Sequence, residues 1–228
     1  MVEILYYSDN KLDKTLLGIF VKKCILQAGL PIISVTLKPI NFGRNIHYKG
    51  RRGQRTMIKQ IRRGLKNSEA NHIFICEHDV LYHRSHFKFK PPKDNVYYYN
   101  NNVIKYKPSI NKAISYDCKW FSQCVANRKL LLQHFNKKLE LIEQGKRAWG
   151  FEPGTGQSKK IDRYKTESFE SEIPNIDIRH GKNFTGSGRM RQEEFRNKNT
   201  CQNWKEYNVK DIPYWKLGGE NEFEYKDT

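Results

Sequence analysis

Apolar residues fall along this chain in two rhythms. Val2 to Tyr7, Ile32 to Leu37 and His72 to Cys76 are short, nearly unbroken apolar runs rich in β-branched and aromatic side chains, the mark of strands buried on both faces. Between them the spacing becomes helical. Leu16, Leu17, Phe20 and Cys24 share one face within Leu12 to Leu26, and Met57, Ile58, Ile61 and Leu65 share one within Gly53 to Leu65. Gly29-Leu30-Pro31 and Asn67-Ser68 stop these helices, while Ser8-Asp9-Asn10 and Asn41 to Arg44 read as turns. Strand, helix, strand, helix, strand is the opening half of a doubly wound α/β domain, in which a nucleotide binds across the strand ends.

Further on the pattern is looser. Asn95 to Tyr106 predicts two short strands around Asn100-Asn101-Asn102, and Ser115 to Cys124 another. Asn127 to Gln144 predicts a helix with Leu130, Leu131, Phe135, Leu139 and Ile142 inward, capped by Gly145. From Gln157 the chain is polar and irregular apart from Ile173 to Arg179. The expected organisation is one α/β domain over residues 1–190, then an irregular, charged and aromatic arm over residues 191–228 that packs on or near the site.

The densest chemistry lies in Asn71 to Tyr82, NHIFICEHDVLY. If the strand persists to its end, Glu77 and Asp79 share a face and His78 turns away. Carboxylates also end strands simply because the chain is leaving the core for water. Here the preceding run shows no solvated alternation, so the pair sits at the carboxyl end of a buried strand, where open α/β sheets place ligands. Such a pair suits a hard divalent cation with positions left open for phosphate oxygens. A transferase whose leaving group is a nucleoside diphosphate needs that arrangement.

Charge narrows the partners. Of 228 residues, 42 are Lys or Arg and 24 Asp or Glu, a net charge of +18. This attracts polyanions or phosphorylated substrates. Aromatic residues at 13% exclude a disordered basic tail. Cys24, Cys76, Cys118, Cys124 and Cys201 show no zinc spacing and read as free thiols of a reducing cytoplasm. The start of the chain shows no signal-peptide pattern, and no apolar run approaches a membrane span.

From Arg44 to Lys66 the chain holds nine basic residues and no acidic one. Arg62, Arg63 and Lys66 fit a solvated helical face; Arg51, Arg52 and Gln54 stand at a helix entrance, where guanidinium groups and backbone amides favour a phosphate. No Walker or dinucleotide fingerprint is present. Glu152, in FEPGTG, is a candidate general base, its pKa raised by partial burial, or equally a turn carboxylate bonded to nearby amides. In IRHGKNFTG, a strand delivers His180 into a glycine-flanked loop; a neutral imidazole there completes a metal site suited to manganese, with Lys182 and Arg189 neutralising a diphosphate.

Taken together, ICEHDVLYHRSHF as a variant Asp-x-Asp motif, FEPGTG and IRHGKNFTG make residues 1–190 resemble a GT-A type nucleotide-sugar glycosyltransferase, of the small bacterial and phage kind that includes DNA-base-modifying enzymes. The resemblance implies a GT-A-like (Rossmann-like) mixed sheet flanked by helices. It implies Mn2+ or Mg2+ held by Glu77 and Asp79 and completed by His180, with Tyr6, Ser8 and Asp9 at the nucleoside. Glu77 departs from the commoner Asp, and its extra methylene moves metal contact to Asp79 alone or through water. The reaction implied is transfer of a hexosyl or pentosyl group, from a uridine diphosphate sugar above all, to a hydroxyl, by either stereochemical course. Charge favours DNA bearing a hydroxymethylated pyrimidine as acceptor, with Arg55, Lys59, Arg62 and Arg63 on its phosphates. A glycan, lipid-linked sugar or protein acceptor, or a non-catalytic nucleic-acid-binding role, are the alternatives.

Overall fold

The computed structural model describes residues 1–146, 152–155, 161–180, 195–218 and 222–226. The chain opens with the predicted alternation: β1 (Val2–Ser8), α1 (Leu16–Leu26), β2 (Ile32–Thr36), β3 (Arg44–His47), α2 (Gln54–Asn67) and β4 (His72–Glu77). It continues with β5 (Val80–Leu81), β6 (Val96–Asn100), β7 (Val103–Lys107), β8 (Lys112–Ser115), β9 (Cys124–Asn127) and α3 (Arg128–Glu143). β10 (Lys165–Phe169), β11 (Asn175–Ile178), β12 (Lys205–Tyr207), β13 (Trp215–Gly218) and β14 (Glu222–Tyr225) follow.

Seven strands form the central sheet in the order β10-β6-β9-β4-β1-β2-β3. β1 runs parallel to β2 and β4, and β9 opposes both β4 and β6, so one reversed strand makes the sheet mixed. Alternation along each strand then sorts the side chains. Leu5, Tyr7, Ile33, Ile73, Ile75, Tyr97 and Tyr99 pack on one face against Ile58, Ile61 and Leu65 of α2 and Leu131, Phe135 and Leu139 of α3. Ile4, Tyr6, Phe74, Cys76 and Tyr98 point the other way, against Leu17, Val21 and Cys24 of α1. The expected α/β class, a Rossmann-like mixed sheet flanked by helices, is the one observed.

Several boundaries differ from the sequence reading for local reasons. α1 starts at Leu16, because Thr15 caps it through a 3.2 Å bond from the Gly18 amide. Asn41 to Arg44 leads into an extra edge strand, β3. The strand expected over Ser115 to Cys124 is broken into β8, a single turn at Phe121–Gln123 and β9. Polar Asp117 leaves the sheet there, its amide bonded to the Gln202 carbonyl at 3.0 Å.

A second sheet, β12-β8-β7-β11-β5, grows from the end of β4. The chain turns at His78 and Asp79 and enters β5, which pairs antiparallel with β11. The stretch expected as an irregular arm supplies β12 to this sheet and the β13–β14 hairpin over α1. Trp215 of that hairpin is fully buried and donates its indole N–H to the Pro174 carbonyl at 2.7 Å. The boundary expected at residue 190 falls among residues outside the described set. All five cysteines carry free thiols. Among the described residues, no helix is long and apolar enough to cross a membrane.

Gly64 sits in the middle of α2, where glycine costs about 0.5–1 kcal/mol relative to alanine. Its place is explained by contact: a Cβ there would run into Leu5 of β1 and Val35 of β2. Gly64→Leu should therefore destabilise the protein by roughly 1–3 kcal/mol in urea unfolding. Unchanged stability would show that α2 does not press on the sheet at this point.

Candidate active site

The carboxyl ends of β1 and β2 and the start of α2 border a shallow pocket open to solvent, lined by Tyr7, Ser8, Asp9, Leu37, Arg52, Gly53, Met57, Gln60 and His78. The sequence dictates its shape. Gln60 is buried in α2 and donates to the carbonyls of Ser8 and Val35, each at 2.9 Å, so the loops leaving β1 and β2 are tied to one helix. Arg52 donates to the Asp9 carboxylate across the mouth. α2 carries no acidic residue in its first turn, which leaves its positive end facing the cleft.

Of the residues expected around a nucleoside, Ser8 and Asp9 line this cleft, and Tyr6 does not. Tyr6 points to the opposite face of the sheet; its hydroxyl donates to Asp13 at 2.8 Å and its ring meets Phe42 edge-on. Tyr7, one residue on, takes the cleft position. Arg52 lines the cleft, and Arg51 and Gln54 flank it at the helix start without lining it. Lys182 and Arg189 lie outside the described residues.

The acidic motif divides differently from its expected form. β4 ends at Glu77, so the strand alternation that would put Glu77 and Asp79 on one face does not extend to Asp79. Glu77 keeps the face of Ile75 and accepts a hydrogen bond from the Tyr7 hydroxyl. Asp79 lies in the turn into β5, and His78, expected to face away, comes back beside it. His78, Asp79 and His180 each offer a ligand atom, and these atoms lie within 4.8 Å of one another. Glu77 is not in that group. His180 is delivered by β11: the Ile178 amide bonds the Asp79 carbonyl at 2.9 Å, and His180 Nε2 then sits 3.3 Å from Asp79 Oδ2.

The surroundings split the carboxyls electrostatically. Burial alone would lift Asp79, but the hydrogen bond and charge of His180, with His78 and Arg179, hold it at about 2. Burial pushes Glu77 up to about 8, helped by the charge of Asp79 and opposed by the Tyr7 hydrogen bond. Glu152 is lifted to about 7 by burial, against the pull of Lys138 and Arg196 and a hydrogen bond from the Phe121 backbone. Asp79 is thus an anion at neutral pH, while Glu152 is poised to gain or lose a proton. The turn holding Glu152 is pinned by Tyr99, whose hydroxyl donates to the Pro153 carbonyl at 2.7 Å, and by Thr155, which donates to the Glu152 carbonyl at 2.8 Å.

The donor atoms suit a divalent cation. His78 Nδ1 is buried without a hydrogen-bond partner, the state of an imidazole nitrogen awaiting a ligand. One carboxylate with two imidazoles is a softer set than the two carboxylates and one imidazole expected, and it fits a first-row transition ion such as Mn2+ better than the oxygen-seeking Mg2+.

A second polar cluster was not anticipated. Lys105 is almost fully buried and pairs with Asp177, whose other oxygen lies 3.8 Å from Arg179. Two cations on one carboxylate leave a positive excess beside Asp79. The sequence signal was Lys105 set between Ile104 and Tyr106 in the strand VIKYK, and a lone aspartate in NIDI. The helical basic residues lie elsewhere. Arg55 pairs with Glu143 of α3 at 3.0 Å, Arg62 bonds Asn136 at 2.6 Å, Lys59 is half-buried and Arg63 is exposed.

No protein-family model and no curated sequence matches the chain. Three solved structures follow a similar path. One is a glycosyltransferase involved in glycosylation of the major capsid of PBCV-1 (8% identity, TM-score 0.47, 74% of this chain and 81% of that one). Another is HddC from Yersinia pseudotuberculosis (12%, TM-score 0.46, 78% and 93%). The third is the inositol-1-phosphate CTP transferase from T. maritima (9%, TM-score 0.45, 77% and 88%). Likeness this distant carries no argument about what this chain does; that rests on its own residues.

Proposed function

We propose that this chain is a metal-dependent glycosyltransferase that moves a sugar from a nucleoside diphosphate sugar, a uridine diphosphate sugar above all, to an acceptor hydroxyl. One observation carries the proposal. His78 belongs both to the pocket at the ends of β1 and β2 and to the group with Asp79 and His180, so a candidate cation site and a pocket at the amino end of α2 share a wall. The preference for uridine rests on the GT-A resemblance of the sequence motifs.

In this reading the positive end of α2 and Arg52 receive the nucleotide's phosphates, and Ser8, Asp9 and Tyr7 border its nucleoside. Asp79, His180 and His78 would hold Mn2+, which would supply Lewis-acid stabilisation of the departing diphosphate. Glu152 takes the proton of the acceptor hydroxyl as its oxygen bonds the anomeric carbon and the bond to the diphosphate breaks. Glu77, raised above neutrality and held by Tyr7, limits the negative charge next to the diphosphate. The Lys105–Asp177–Arg179 cluster adds positive charge on the same side. For the acceptor, the net charge of +18 favours DNA carrying a hydroxymethylated pyrimidine.

Asp79→Asn should lower transfer by roughly 100-fold or more while leaving the circular dichroism spectrum unchanged; normal turnover with metal present would remove Asp79 from the site. Exhaustive chelation should abolish both transfer and donor hydrolysis, and added Mn2+ should restore them. Activity that survives chelation speaks for a metal-free mechanism. Because a base works deprotonated and Glu152 is held at about 7, kcat should rise with pH through that value and level off above it. Glu152→Gln should erase the rise and cost roughly 100-fold or more in rate. A profile unaltered in that variant would assign the base elsewhere.

A further inference from the structure

A ring cluster near Glu152 takes no part in lining the donor pocket. Tyr116 and Trp204 are stacked, centroids 5.7 Å apart and planes 6° apart, and Trp120 meets Tyr116 edge-on at 5.5 Å. Tyr116 is buried, whereas Trp120 and Trp204 each keep part of their surface in solvent. Cations stand over two of the rings: Arg196 is 5.7 Å from the centre of Tyr116, and Lys105 is 4.2 Å from the centre of Trp120. The cluster adjoins the reaction centre through its neighbours. Phe121, next after Trp120, gives its backbone hydrogen bond to Glu152, and the charge of Arg196 acts on the same carboxyl.

The border of the cluster is largely basic. Arg196 and Lys198 are exposed, and the charge of Lys198 acts on Glu206, which holds the Trp204 indole. The acids nearby are engaged: Asp177 with Lys105, Glu206 with the Trp204 indole at 3.1 Å and Lys112 at 3.2 Å, and Asp117 with Asn203 at 2.7 Å. A part-exposed indole ending a ring stack, rimmed by cations, fits a flat π-system on an anionic backbone. A neutral sugar ring can lie on an indole too, but it makes no use of the cationic rim.

We propose that this cluster is the acceptor subsite and that it takes an unpaired nucleotide, its base extending the Tyr116–Trp204 stack and its flanking phosphates meeting Arg196 and Lys198. The proposal rests on the transferase reading above and adds to it where, and in what form, the acceptor is held. A base locked in a duplex presents no face to stack; it must be single-stranded or turned out of the helix.

Fluorescence anisotropy of a short labelled single-stranded DNA, added to the full-length protein without donor, tests this. The wild-type protein should bind. Trp204→Ala should weaken binding about 10-fold, and Trp204→Phe should recover most of the loss. The intact duplex of the same sequence should bind less tightly than the single strand. Equal binding by Trp204→Ala and wild type would overturn the proposal, as would displacement of the DNA by a neutral oligosaccharide but not by free mononucleotides. Binding of nucleoside diphosphate with Mn2+, followed separately by calorimetry, reports on the donor cleft alone, so the transferase reading and the acceptor subsite can fail independently.

Discussion

A backbone hydrogen bond from the Ile178 amide to the Asp79 carbonyl links the two sheets where the candidate metal-binding residues gather. β4 belongs to the central sheet and β11 to the second, and this bond brings the end of one against the end of the other. β5, only two residues long, pairs with β11 and continues the same junction. His180 emerges from the end of β11 directly against Asp79. Residues a hundred positions apart in sequence thereby form one cluster. The order of strands explains why the seam sits at the carboxyl end of β4, beside the cleft where β1 and β2 also end.

The same junction sorts the acids by environment. Glu77 and Asp79 are two residues apart, yet one is driven above neutrality and the other is held near 2. Strand geometry is the cause: Glu77 stays with the apolar face shared by Tyr7 and Ile75, while Asp79 leaves that face in the turn and finds two imidazoles. Buried carboxyls that share a site cannot all ionise cheaply, and separation of their roles follows. The lysine and arginine shared by Asp177 continue this logic on the next strand, where a buried ion pair is sustained by a second cation and the face of Trp120.

The sequence made the first half of the fold legible because its runs are strong and their punctuation clear. β1, α1, β2, α2 and β4 sit within a few residues of where periodicity puts them. Asp79, His180 and Glu152 stand out in the sequence as candidates because each departs from its surroundings: an acid after an apolar strand, a histidine at a strand end before glycine, a carboxylate in a tight turn. His78 and Tyr7 do not, since their positions depend on where β4 stops and on which face the last residues of β1 show. A one-residue change in either reverses the answer. Trp215 was unreadable for another reason. Its partner, the Pro174 carbonyl, is remote in sequence, and a charged, aromatic carboxyl-terminal stretch looks alike whether it packs or not.

Anomalous diffraction from crystals grown with manganese and a nucleoside diphosphate tests the central arrangement most directly. The account predicts a single strong peak bonded to the Asp79 carboxylate and to an imidazole of His180 or His78, with diphosphate oxygens completing its shell and the nucleoside in the cleft beside Tyr7. A peak held by Glu77 without Asp79, or no ordered manganese at saturating concentration, would contradict it.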